Sequence, residues 1–164
     1  MPLPVSQMPL YIQEADRRGD NGIGCEHLFL GILANEKNAA ASVLAQHGVN
    51  LGLARHRVDD ILGEDSAWAE SQRWTFSPRA TLVMRLADVE AERLGHVLPT
   101  DVHMMLALLT EGRGTPITIL IECGVSLDAL REHLVDALEV SGEDRTTYLR
   151  QRAAYEHAKQ QRLS

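Results

Sequence analysis

One apolar stretch occurs twice, and the repetition limits the fold more than any other feature. Gly24-Cys25-Glu26-His27-Leu28-Phe29-Leu30-Gly31-Ile32-Leu33 returns 76 positions later as Thr100-Asp101-Val102-His103-Met104-Met105-Leu106-Ala107-Leu108-Leu109. Each copy opens on small or polar residues, carries a histidine at the same place and continues as an apolar run. A helix apolar on every side has to be buried. Its recurrence makes the chain a duplicated unit. Ala15–Gly63 aligns without gaps on Ala91–Glu139, with 13 identities in 49 positions. These include Arg17/Arg93, His27/His103, Leu44/Leu120, Gly48/Gly124, Val49/Val125 and Arg55/Arg131. Most are apolar residues or glycines, the types that a shared packing arrangement holds fixed.

Each unit reads as four helices. In unit two, Ser77 caps the first helix, Pro78 occupies its first turn, and Leu82, Leu86, Val89 and Arg93 follow at helical spacing as far as Gly95. The counterpart in unit one is shorter, from near Pro9 to Gly19. The second helix is the repeated apolar stretch, with Thr100 or Asp101 as cap in unit two and Cys25 as a poorer cap in unit one. The third covers about Ala39–His47 and Pro116–Cys123, stopped by Gly48 and Gly124. The fourth is amphipathic, with Leu51, Ala54, Val58, Ile61 and Leu62 matched by Leu127, Leu130, Leu134 and Leu138. Asn50 and Ser126 stand at its cap positions.

A unit of about 50 residues buries too little surface to be stable alone. The expected architecture is therefore all-α: a single domain of two four-helix repeats about a pseudo-twofold axis, plus a C-terminal helix. Its expected boundaries are 1–142 for the double repeat (repeat one 9–63, linker 64–76, repeat two 77–140) and 143–164 for a helical tail. The linker and its edge carry Trp68, Trp74 and Phe76. They serve either as an exposed contact surface or as packing across the seam between repeats. The tail, Glu143–Ser164, has a net charge of +2 against about −9 for the body.

An acidic chain of net charge −7 lacks the cationic excess that phosphate backbones demand, so no nucleic-acid partner is expected. No run is long enough to span a membrane, and no secretory signal is evident at the start. Cys25 and Cys123 are the two cysteines and fall at non-equivalent repeat positions, so reduced thiols are expected rather than a disulfide. His27 and His103 lack companions at metal-ligand spacing and read as structural histidines bonded to a loop carbonyl. No metal or other cofactor is expected. Cys25 at a helix start invites a lowered pKa, but no base accompanies it and no catalytic triad is suggested.

The helix Gly24–Leu33, the turn Val43-Leu44-Ala45-Gln46-His47-Gly48-Val49 and the junction Phe76-Ser77-Pro78-Arg79-Ala80 together resemble a known pattern. They are similar to the G-T-E-H-L-L-L-G-L-L, A-x-x-V-L-x-x-x-G-V and F-T-P-R-A motifs of the N-terminal repeat domain of Clp ATPases, especially the ClpC and ClpA type. The resemblance covers nearly all of residues 9–140. It implies a non-catalytic module that binds polypeptides, in a bacterial cytoplasm. No G-x-x-x-x-G-K-[ST] phosphate loop occurs in the chain. The expected roles are adaptor, substrate-recognition factor or decoy in Clp-dependent proteolysis. The alternative is a structural accessory subunit docking on the Clp ATPase or peptidase. The initiating methionine and distinctive tail favour a freestanding protein over an excised fragment.

The resemblance also implies a ligand site. Relatives of the ClpC type bind phosphoarginine in two symmetric pockets. Carried over, Glu26 keeps the glutamate that pairs with the guanidinium, while Val102 stands where the second glutamate is expected. Ser77 replaces the second phosphate-holding threonine, and unit one has no counterpart of the first. Phe76, beside Arg79, matches a phenylalanine in the area where relatives accept Clp-targeting cyclic peptides. The candidate ligand-binding residues are Glu26, Phe76, Ser77 and Arg79. Phe76 as a hydrophobic staple, and Glu26 as a favourable helix-start charge, are the structural alternatives.

Overall fold

The computed structural model describes residues 4–63, 68, 73–96 and 98–141, the last three through their backbone only. After a 3-10 turn at Val5–Gln7 come α1 (Leu10–Arg18), α2 (Cys25–Ala34), α3 (Ala39–Gln46) and α4 (Leu51–Leu62). Repeat two supplies α5 (Pro78–Arg93), α6 (Asp101–Glu111), α7 (Thr115–Glu122) and α8 (Leu127–Ser141). The 76-residue register maps α3 onto α7 end to end. The same local chemistry explains why. Each helix runs into a glycine in the left-handed region, Gly48 at φ 82° and Gly124 at φ 74°. There the Val49 and Val125 amides close back onto the Leu44 and Leu120 carbonyls at 2.9 and 3.0 Å.

The caps follow the sequence where it offers an oxygen. Asn38, Asn50 and Ser77 each accept the amide of the residue three ahead, at 2.7, 2.9 and 3.0 Å. At Ser126 the same bond is 3.3 Å. Cys25 is not a cap: Gly24 holds that position and Cys25 is the first helical residue, buried.

Packing between the repeats is reciprocal. α2 meets α7 as α6 meets α3, α3 meets α8 as α4 meets α7, and α2 meets α6. Exchanged contacts of this kind are what a twofold relation produces, whereas a translated stack would pair unlike faces. The two apolar helices form the centre. Phe29, Leu30, Met105 and Leu106 are fully buried, with Leu44, Leu120, Leu130 and Leu134 around them. Within repeat one, α1 lies so close on α2 that a Cβ at Gly31 would sit 2.8 Å from the Tyr11 backbone nitrogen.

Some apolar positions face outward instead. On α5, Leu82 and Val89 are 47% and 55% exposed, and the buried face is Ala80, Val83, Ala87 and Ala91. Leu86 packs partly buried against the core while Leu82 and Val89 face outward, because small residues let α5 lie close on α6. Ile61 and Leu62 are also exposed, so Ala54 and Val58, with the partly buried Leu51, anchor α4 in the core. No helix among the described residues is long and apolar enough to cross a membrane. The expected C-terminal helix lies outside the described residues.

Candidate binding site at the paired helix starts

The connector does not leave its aromatics free. Phe76 forms a parallel bridge with Ile23. The Ile23 amide donates to Thr75 O, and the Ser77 amide donates to Ile23 O, both at 2.8 Å. The Trp74 amide donates to Asn21 O. Trp74 packs on the core edge with Arg73 stacked 5.0 Å from its ring, and Trp68 covers Gly22 closely enough to exclude a Cβ there. Of the two readings of these residues, packing across the seam is the one observed. Phe76 is half-buried, its ring 5.7 Å from that of Tyr11 on α1, so part of it remains open.

The bridge joins the segments that lead into α2 and α5, the helix starts that carry the candidate residues. Glu26, in the first turn of α2, folds back over Gly24, with its Oε1 3.7 Å from His27 Nδ1. Ser77 Oγ accepts the Ala80 amide, leaving its hydroxyl proton to donate elsewhere. Arg79 is half-exposed, and its Nε lies 3.1 Å from Oε1 of the nearly buried Glu111 at the end of α6. Cys25 sits among these charges. Burial pushes its thiol up to about 12; Glu111 and Glu26 add to the rise, against the opposing pull of Arg79. The lowered pKa expected at a helix start is therefore reversed, and Cys25 is no nucleophile at neutral pH.

The equivalent end of repeat two has different chemistry. A cleft of about 520 Å³ opens there, lined by Glu36, Lys37, Asn38, Thr100, Asp101 and Val102 among others. Val102 is buried and offers no acceptor. Asn38 Nδ2 donates to Asp101 Oδ2 at 2.9 Å and to the Asn35 and Ile32 carbonyls at 2.8 and 2.9 Å.

The two histidines hold these helix starts in place. His27 Nδ1 accepts the Gly24 amide at 2.8 Å, which puts its proton on Nε2, donated to Asp20 Oδ2 at 2.7 Å. His103 Nδ1 accepts the Thr100 amide at 2.8 Å, and its Nε2 proton goes to His96 Nδ1 at 2.9 Å. Each ring caps its own helix through a backbone N–H, not a carbonyl. Both rings are fully buried with both nitrogens engaged.

Extending the repeat register one residue earlier reveals what the alignment from Ala15 leaves out. Glu14 and Glu90 are identical, equivalent and buried. Glu14 binds Arg55 at 2.6 Å and Arg17 at 3.0 Å; Glu90 binds Arg93 at 2.6 Å and Arg131 at 3.6 Å. Burial would raise the Glu90 carboxyl, but hydrogen bonds from Arg93 and Thr110 hold it below its ordinary value. These clusters tie α1 to α4 and α5 to α8, the outer walls of the bundle.

Comparison with known proteins agrees with the doubled-repeat fold. The family model for the Clp repeat N-terminal domain matches residues 11–98 and 75–154. The chaperone protein ClpB of Oceanobacillus iheyensis is 33% identical over 77% of the chain, and the chloroplastic ClpC of Pisum sativum 34% identical over 82%. The matched region is only 15% and 14% of those relatives, so the chain spans about a seventh of their length. Among solved structures, the N-terminal domain of the caseinolytic protease associated chaperone ClpD from Arabidopsis thaliana superposes with a TM-score of 0.66 at 21% identity. That match covers 79% of this chain and 89% of that one. The Hsp104 N-terminal domain from Candida albicans gives 0.61 at 17%, covering 83% and 87%. Those two likenesses establish the fold; the doubled family match and the sequence relatives establish descent. The chain belongs to the Clp N-terminal repeat family.

Proposed function

We propose that this chain is a non-catalytic polypeptide-binding module that receives extended or arginine-bearing segments at the paired starts of α2 and α5. In a Clp system it acts as an adaptor, substrate-recognition factor or decoy. The observation that supports this is the Ile23–Phe76 bridge, which joins the segment leading into α2, the helix that carries Glu26, to the segment leading into α5, where Ser77 and Arg79 stand. The site then has a carboxylate for a guanidinium, and a hydroxyl with a half-exposed guanidinium for a phosphate. Two helix N-termini favour the anion, and part of an aromatic ring is open to an apolar side chain. The repeat-two end, with Val102 in the glutamate position, binds such a ligand more weakly.

Calorimetric titration tests this with two probes, a phosphoarginine peptide and a Clp-targeting cyclic peptide. Glu26→Gln is expected to weaken the phosphoarginine peptide by roughly ten- to a hundredfold, the loss of one charged hydrogen bond. Phe76→Ala is expected to remove most of the cyclic-peptide affinity. Absence of heat with either probe on the unaltered chain would overturn the reading.

A further inference from the structure

Arg79 does not stand alone at the candidate site. Its Nε lies 3.1 Å from Oε1 of Glu111, the last residue of α6, whose side chain is 8% exposed against 49% for Arg79. The second carboxylate oxygen is engaged as well: the Arg113 amide donates to Glu111 Oε2 at 3.1 Å. We propose that Glu111 is a positioning residue for phosphate recognition, holding the Arg79 guanidinium ready for the phosphate of a phosphoarginine side chain. This role rests on the phosphoarginine reading of the site and extends the site to the α6–α7 turn.

Geometry separates the two jobs. With both oxygens engaged, Glu111 orients Arg79 rather than meeting the ligand. A guanidinium is a rigid fork of N–H donors, so an ion pair through Nε leaves terminal N–H groups for an anion. The start of α7 closes the other side: a Cβ on Gly114 would come within 2.9 Å of Arg79 Nη1. The charges of Glu111, Glu26 and Arg79 all reach the buried Cys25 thiol, so the three gather round the start of α2. What the pair supplies is preorganisation. A long side chain that is mobile beforehand loses its freedom on binding, which lowers affinity about three- to tenfold. Held by a nearly buried carboxylate, Arg79 has lost that freedom already. The same carboxylate, as a bare charge, repels a phosphate. Positioning and repulsion thus have opposite signs. The repeats also differ here. Asn35 stands at the position of Glu111, and its carbonyl accepts from Asn38 Nδ2 instead. The end that carries Val102 in the glutamate position therefore lacks this second carboxylate too.

Calorimetric titration of the full chain with a phosphoarginine peptide and its unphosphorylated counterpart tests the role. Glu111→Met is expected to weaken the phosphoarginine peptide about three- to tenfold, although removal of a negative charge alone would strengthen it. The unphosphorylated peptide, which meets Glu26, should change little. In an Arg79→Met background the same substitution should add no further loss, because Glu111 acts through Arg79. Glu111→Gln keeps an oxygen that accepts from the Nε–H and should recover part of the affinity. Equal or tighter phosphoarginine binding by Glu111→Met, equal losses for the two peptides, or a loss that persists without Arg79 would each overturn the role of Glu111 and leave the site standing. Absence of phosphoarginine binding by the unaltered chain would overturn both. Should Glu111→Met fail to fold, the side-chain 15N spectrum of the unaltered chain decides. The Arg79 Nε–H must give a distinct, slowly exchanging resonance before ligand is added, and an averaged one refutes the pair.

Discussion

The two repeats share a capping histidine but surround it differently. In repeat one, His27 donates to the buried carboxylate of Asp20. Arg18 reinforces that carboxylate at 2.8 Å and reaches on to Asp59 and to Gly63 O at 3.2 Å. A charged chain thus runs from the start of α2 to the end of α4. In repeat two the equivalent residues are His96, Leu94 and Val135, and His103 meets only a second imidazole. The fold therefore needs a ring at the helix start that accepts a backbone amide. What lies behind the ring is free to vary. Repeat one puts a carboxylate on the ring; repeat two puts an imidazole there, with an apolar Val102 facing its cleft.

Truncation of the two rings should separate the repeats most sharply. His27→Ala opens a cavity, orphans the Gly24 amide and leaves Asp20 with Arg18 alone, a loss of about 4 kcal/mol. His103→Ala orphans the Thr100 amide, but the half-exposed His96 can turn to water, so the loss is about 3 kcal/mol. Urea unfolding of both variants gives the two numbers. A larger loss at His103 would mean that the charged chain of repeat one adds nothing to its helix start.

Acid should find repeat two first. Burial, reinforced by His96, pushes His103 down to about 4 from an ordinary 6.5. The unfolded chain therefore binds the proton more readily. The contribution of His103 is complete above pH 6.5 and declines as pH falls towards 4. Its size is on the order of 2–3 kcal/mol. Asp20 behaves otherwise. Burial would raise its carboxyl, but hydrogen bonds from His27 and Arg18 outweigh that and hold it below 3.8, so its contribution is lost only as pH drops beneath that value. Glu90 follows the same rule below 4.5. His96→Asp copies the repeat-one arrangement, putting a carboxylate on the His103 Nε2 proton. Denaturant titrations at pH 7 and pH 5 should show at least half of the acid loss removed. An unchanged loss would assign it to other groups.

The bundle was legible because duplication doubles every signal. Gly48 with Gly124 marked the same stop twice, and the register carried α1 and α5 to their ends. Periodicity located α5 but not its buried face, because Leu82 and Val89 keep helical spacing while the alanines face the core. Close helix packing prefers small side chains, and a hydrophobic pattern does not encode that distance. The buried glutamates were missed for the opposite reason. A lone Glu14 looks solvated, and only its repetition at Glu90, with Arg55 and Arg131 also repeated, signals a paired and buried charge. Candidate residues Glu26, Ser77 and Arg79 came from local motifs. The link between their helix starts is the Ile23–Phe76 bridge, a contact 53 residues apart that no periodicity announces.

The smallest difference is at the third helices, where Asn38 and Gly114 are equivalent. Asn38 caps α3 and binds three further acceptors, so Asn38→Ala is expected to cost about 2 kcal/mol, the upper end for a lost cap. Gly114 offers α7 no side chain, yet Gly114→Asn should not restore the symmetry. Gly114 lies at φ 87° and ψ −171°, a region that side chains disfavour. A Cβ there would also come within 2.9 Å of the Arg79 guanidinium. The added cap is outweighed by backbone strain, and the net loss is about 1 kcal/mol. Arg79 is also displaced from Glu111, so the same variant should bind the phosphoarginine peptide more weakly. Unfolding and titration of one sample check both effects. A stabilised Gly114→Asn would show that the backbone of repeat two can adopt the repeat-one turn, and that its glycine is there to admit Arg79 rather than to permit the turn.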